Sequence, residues 1–154
     1  MKKNFLKKIG VIFFVFCCPV NVYAAEVPTV EVTADTYLTS EERVLIAKMC
    51  VAEAEGESEE GKRLVIDTIL NRVDHESFSN TVEGVLYEPG QFSSIKNGRF
   101  DNSKPSSDIL NLVIEEEIVR TNDEVIFFQT GSYSKYGDPL LKEGHHYFNS
   151  LERR

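Results

Sequence analysis

The feature that most limits this chain is a helical register that runs into a cluster of acids. From Met49 to Gly61 it reads M-C-V-A-E-A-E-G-E-S-E-E-G. If Glu41 to Ala54 is helical, the residues three, four, seven and eight before Glu53 are Cys50, Met49, Ile46 and Leu45. Glu53 then lies on the stripe that should face a core. A carboxyl placed there loses hydration, which favours its protonated form, and a protonated carboxyl in a cleft can act as a general acid. The competing reading is that Glu53 marks the helix end, where the stripe leaves the core and any polar residue would serve. Register and spacing by themselves leave both open.

The rest of the chain reads as helices first and strands last. Thr39 followed by Glu42 is a capping-box start for the first helix, and Gly56 ends it. Ser58 with Glu59 and Glu60 starts a second helix. Its residues Leu64, Val65, Ile66, Ile69, Leu70 and Val73 are apolar over several faces, which predicts a central, buried helix. Asp67 and Asn71 share one side of it, to pair with each other or with backbone, or to line a polar cleft. Arg72 is expected to pair with a carboxylate. Asn80 with Glu83 signals a short helix, Tyr87 to Gly90 and Lys96 to Gly98 are turns, and 99–105 is a polar loop. Ser106 or Ser107 caps a third long helix over 108–120, where Glu115, Glu116 and Glu117 read as a solvated face. Val125 to Gln129 and His146 to Phe148 are short β-type runs that could pair as a two-stranded ribbon. The fold class is α+β, mainly α.

The N-terminus is basic, then apolar from Ile9 to Cys18, then broken by Pro19, with Val22 and Ala24 at the positions a signal peptidase reads. This predicts a secretory signal peptide over 1–24, an extended arm over 25–38 and one domain over 39–154. The chain would be secreted, without a stable membrane anchor, to act outside the cell, at the wall or in a spore cortex. Four of the 17 Lys and Arg residues, and none of the 25 acids, lie in the leader, which leaves 13 against 25 and a net charge of −12. That balance argues against nucleic-acid binding, which needs a basic face. Only Cys50 survives cleavage, so no internal disulfide forms and the fold must rest on its core.

Two linked blocks carry a resemblance. V-A-E-A-E-G-E-S-E-E-G with the following I-L-N-R-V, and then F-S-N-T-V-E-G-V-L-Y-E-P-G-Q-F-S, resemble the SleB-type cell-wall hydrolases, the spore cortex-lytic family. V-I-F-F and G-H-H-Y-F extend the likeness, which covers nearly all of 42–148. One departure is Glu55, where the family usually has a basic residue before the motif glycine. The resemblance implies a compact, lysozyme-like (lytic-transglycosylase-like) helical domain with a small β element. It implies action on peptidoglycan glycan strands between N-acetylmuramic acid and N-acetylglucosamine. Its catalytic acid is the first Glu of the E-x-x-G-E motif, here Glu53, and the familiar spore enzymes often add a wall-binding domain that this chain is not expected to hold.

A lytic transglycosylase manages with one carboxyl group, whereas ordinary glycosidases use two. Glu57 is the internal rival, as the second carboxylate of a muramidase-type hydrolase or as a helper. Asn71, Tyr87, Gln91, Phe92, Tyr133, Tyr136 and Tyr147 are candidates to line a glycan site, each with a plain core or surface reading beside it. A zinc amidase or peptidase would need metal-spaced ligands, and His75, His145 and His146 do not supply them. No metal or cofactor is expected. A non-catalytic wall-binding module is the third class. The chain is expected to be a monomer whose partner is the glycan strand, with room for an accessory protein that helps an acidic chain approach an anionic wall.

Overall fold

The computed structural model describes residues 37–151. The expected signal peptide and most of the expected arm lie outside the described residues. Six helices precede three strands among the described residues.

Helix α1 (Ser40–Ala54) starts as its sequence predicts. Thr39 Oγ1 accepts the Glu42 N–H at 3.2 Å, and Glu42 Oε2 accepts the Thr39 N–H at 2.8 Å. Two orphan donors of the first turn are thereby satisfied. Its buried residues Ile46, Ala47, Met49, Cys50, Ala52 and Ala54 face α2 (Glu59–Asp74) and α6 (Ser107–Ile118). Burial pushes the Cys50 thiol up to about 12, so it packs as a small apolar group. Helix α2, capped by Ser58, is buried without interruption from Leu64 to Arg72 and is the central element.

Between α2 and α6 the chain makes three short helices, α3 (Val82–Leu86), α4 (Ser93–Lys96) and α5 (Arg99–Asn102). The cap of α3 is Thr81, whose side chain accepts the Gly84 N–H, and not Asn80. The segment over 99–105 is not wholly a polar loop, because α5 drives Phe100 into the core at 1% exposure.

Strands β1 (Phe127–Thr130), β2 (Pro139–Glu143) and β3 (His146–Asn149) form an antiparallel sheet in the order β1-β3-β2. The expected ribbon therefore has a third strand. Strand β2 opens on a proline and carries an irregularity between Pro139 and Leu141, which hides its alternation. An edge strand tolerates both. Register puts Phe128, Phe148, Leu141 and His146 on one face, and Phe127, Gln129, Tyr147 and Lys142 on the other. Phe128 packs against both the main helical core and a smaller cluster of Ala54, Leu64, Val65, Val125 and Phe148. It thus joins sheet to helices.

The acids of α6 are not a solvated face. Only Glu115 is exposed, while Glu116 and Glu117 are buried. Glu117 receives Arg43 Nε at 2.8 Å, Arg43 Nη2 at 3.3 Å and the Leu38 N–H at 2.7 Å. Arg43→Met would leave that carboxylate with one donor in the interior. We expect a loss of about 3 kcal/mol in urea unfolding, largely restored when Glu117→Leu is added. A single variant as stable as the parent would show that water reaches Glu117.

Arg72 does not pair with a carboxylate by hydrogen bonding. Its Nε donates to the Ile126 carbonyl at 2.7 Å, and its guanidinium lies 5.4–5.5 Å from the ring centres of Phe78, Phe92 and Phe127. Delocalised charge on a planar group suits such an aromatic setting.

Candidate active site

Glu53 occupies the last turn of α1, between the buried Ala52 and Ala54. The chain then turns sharply, with the Glu57 N–H on the Ala54 carbonyl at 3.0 Å, and re-enters helix at Ser58. The turn is tied to the hairpin between β2 and β3. Glu57 Oε1 lies 2.8 Å from His145 Nδ1, Glu57 Oε2 accepts the His145 N–H at 3.1 Å, and Ser58 Oγ donates to Glu143 Oε1 at 2.7 Å. Burial would raise the Glu57 carboxyl, but the His145 side-chain and backbone bonds outweigh it and hold the carboxyl below its ordinary value.

Gly144 makes this clasp possible. Its φ is +54°, and a Cβ there would stand 1.8 Å from Glu57 Oε2. Gly144→Ala must therefore expel the Glu57 carboxylate as well as strain the turn. The expected cost is about 2 kcal/mol, read as a lower denaturation midpoint. An unchanged midpoint would mean that Glu57 does not hold the hairpin.

The clasp ties down the hairpin whose strand β3 contributes to the aromatic inward face of the sheet. Phe128 meets His146 at 5.1 Å and Phe148 at 5.9 Å between ring centres, and Phe92 approaches Phe128 at 6.2 Å. Phe148 shares its cluster with Ala54, the neighbour of Glu53. Two buried polar atoms here have no hydrogen-bond partner in the protein: Glu53 Oε1 and His146 Nδ1. Burial holds the His146 imidazole below its ordinary value, against the opposing pull of Glu57 and Glu53. It is therefore uncharged at neutral pH. The arrangement offers one carboxyl with an uncommitted oxygen beside an aromatic wall, and a second carboxylate whose two oxygens are already engaged.

The other sequence-derived candidates scatter. Asn71 spends its amide on the carbonyls of Asn122 and Val125, each at 2.9 Å. Phe92 is 5% exposed and lies in the core beside Phe128. Gln91 precedes it in the turn after Pro89. Tyr87 is exposed and set edge-on against Phe100. Tyr147 lies on the outward face of the sheet, where Tyr133 meets it at 5.1 Å, and Tyr136 packs on Phe127 of the same face. The structure thus brings Glu53, Glu57 and Phe92 toward one region and leaves the three tyrosines behind the sheet. His75 is remote, its Nδ1 accepting the Ser77 N–H at 3.0 Å. Sequence reasoning considers the His146 side chain only as a metal ligand. The alternation of H-H-Y-F could have placed it inward.

A mainly helical, lysozyme-like domain with a half-buried glutamate at the end of α1 and a small three-stranded sheet after its helices defines the class of scaffold. The chain belongs to the Cell Wall Hydrolase family, whose pattern matches residues 56–149. Glu53 stands three residues before that matched stretch. Over 55 residues the chain is 42% identical to a spore cortex-lytic enzyme of Bacillus cereus, covering 36% of this chain and 21% of that protein. Over 72 residues it is 35% identical to the spore cortex-lytic enzyme of Oceanobacillus iheyensis, covering 45% of this chain and 26% of the relative. The matches thus span only about a fifth to a quarter of the curated relatives. Two solved structures are similar in fold. The catalytic domain of the Bacillus cereus SleB protein has a TM-score of 0.65 at 26% identity, covering 76% of this chain and 97% of that one. The catalytic domain of the germination-specific lytic transglycosylase SleB from Bacillus anthracis has a TM-score of 0.63 at 26% identity, covering 74% and 98%.

Proposed function

We propose that this chain is a secreted enzyme that cleaves peptidoglycan glycan strands between N-acetylmuramic acid and N-acetylglucosamine, as a lytic transglycosylase with Glu53 as its general acid and base. The observation that carries the reading is the buried, uncommitted oxygen of Glu53 at the end of α1. Glu53 gives its proton to the glycosidic oxygen as the bond to the anomeric carbon breaks. The resulting carboxylate takes the proton of the muramic acid C6 hydroxyl as that oxygen attacks the anomeric carbon. A 1,6-anhydro sugar forms and no water is consumed. Glu57, with both oxygens on His145, supports the turn that carries Glu53 and does not serve as a nucleophile or base. The relatives named spore cortex-lytic enzymes, and the neighbour described as a lytic transglycosylase, support both substrate and outcome.

The test is mass spectrometry of the fragments that the secreted chain releases from purified peptidoglycan. The expected products end in 1,6-anhydromuramic acid. Reducing muramic ends would make the enzyme a hydrolase and return Glu57 as its second carboxylate. Retention on peptidoglycan without release would make it a binding module.

A further inference from the structure

Of the buried polar atoms without a partner, Glu53 Oε1 and His146 Nδ1 belong to side chains within electrostatic reach of each other, and only Glu53 has a role so far. His146 begins β3, is 4% exposed, and has its ring set edge-on against Phe128 and Phe148. Strand alternation turns it inward, while Tyr147 turns outward. Its neighbour His145 is clasped by Glu57, and Phe148 packs with Ala54, so His146 is held toward the α1–α2 turn from both sides. An aromatic wall normally closes with apolar residues, because an unsatisfied buried ring nitrogen is costly. Here the cost is borne by a ring within electrostatic reach of Glu53, whose Oε1 is likewise buried and unpartnered.

We propose that His146 is a positioning residue for Glu53: as a glycan binds, the imidazole donates its Nδ1–H to Glu53 Oε1. That bond would fix the carboxyl plane and leave the other oxygen to carry the proton to the glycosidic oxygen. After transfer the same donor stabilises the carboxylate until it takes the C6 hydroxyl proton. The titratable groups around the imidazole are Glu53 and Glu57 from the α1–α2 side, His145 from its own turn, and Glu143 across the β2–β3 pair. Glu57 and Glu143 are engaged by His145 and Ser58. Glu53 alone has an oxygen free to answer His146. The inference rests on the reading of Glu53 as the acid and base.

The experiment compares initial rates of soluble fragment release from purified peptidoglycan, from pH 4 to 8, for the secreted chain, His146→Phe, His146→Gln and Glu53→Gln. Melting temperatures are taken alongside. Phenylalanine fills the aromatic site without a donor, so we expect it to melt at or above the parent temperature and to lose about 100-fold in rate, the effect of a misplaced catalytic group. Glutamine keeps a donor and should regain about tenfold of that loss. The acid and alkaline limits of the rate profile should also move in the phenylalanine variant. A folded His146→Phe with parent rate and parent pH profile overturns the proposal. If that variant does not fold, a folded His146→Leu, which likewise lacks a donor, with parent rate and profile overturns it equally. An active Glu53→Gln would instead remove the reading on which the inference stands.

Discussion

Glu53→Gln should melt at the parent temperature and lose fragment release by about 1,000-fold or more. General acid–base catalysis by one positioned group contributes about 100- to 10,000-fold, and here the same carboxyl would serve both halves of the reaction, which argues for the upper part of that range. The fold should not notice the change. Gln has the same shape, and Glu53 Oε1 holds no hydrogen bond that an amide would lose. Glu57→Gln should behave in the opposite way. Its two oxygens take the ring and backbone of His145, so an amide forfeits an acceptor and the hairpin loosens. We expect about 1–2 kcal/mol less stability with a substantial share of activity retained. Fragment release and thermal melting on the two variants separate the roles. Parent-like release by Glu53→Gln would refute the assignment outright. Equal and total loss in both would point to a pair of carboxylates.

The helices were legible because their signals are local. Thr39 with Glu42, Ser58 with its following acids, and the apolar run of α2 specify starts and faces within a few residues. The same register placed Glu53 on the inward stripe of α1. What could not be read depends on partners far along the chain. Glu116 and Glu117 look like neighbours of Glu115, yet each is buried because an arginine more than fifty residues away comes to meet it. Arg72 finds a carbonyl 54 residues on. Strand β2 was hidden by its proline and its irregular register, since an edge strand needs pairing on one side only. The tyrosines of the last third looked like one set of sugar contacts. Period-two alternation sends Tyr147 to the face opposite His146, and Tyr133 follows it.

Asp67→Asn should reverse a loss of stability that the parent suffers as pH rises. Asp67 is fully buried in the middle of α2, where Oδ2 accepts the Asn122 N–H at 2.8 Å and Oδ1 receives no donor. Burial above all, and then the Glu116 carboxyl beside it, push Asp67 up to about 8. Glu116 is held below its ordinary value: burial opposes this, but the Asp67 proton, Arg63 and Thr121 outweigh it. At neutral pH the pair therefore shares one proton, which Asp67 carries and offers to Glu116. In the unfolded chain an aspartate releases that proton near pH 4. The folded state thus binds one more proton than the unfolded state between about pH 4 and 8. Asp67's contribution is fully present below the lower of these values and drains away as pH rises to the upper one. The slope is about 1.4 kcal/mol per pH unit, or about 4 kcal/mol between pH 5 and 8. Asparagine reproduces the protonated acid at every pH: its oxygen can accept the Asn122 N–H and its amide can donate to Glu116. Urea midpoints of parent and variant at pH 5, 6, 7 and 8 should diverge steadily, with the variant the more stable at the alkaline end. Parallel curves would show that Asp67 enters the fold ionised, and that its charge is met by Arg120 or by water.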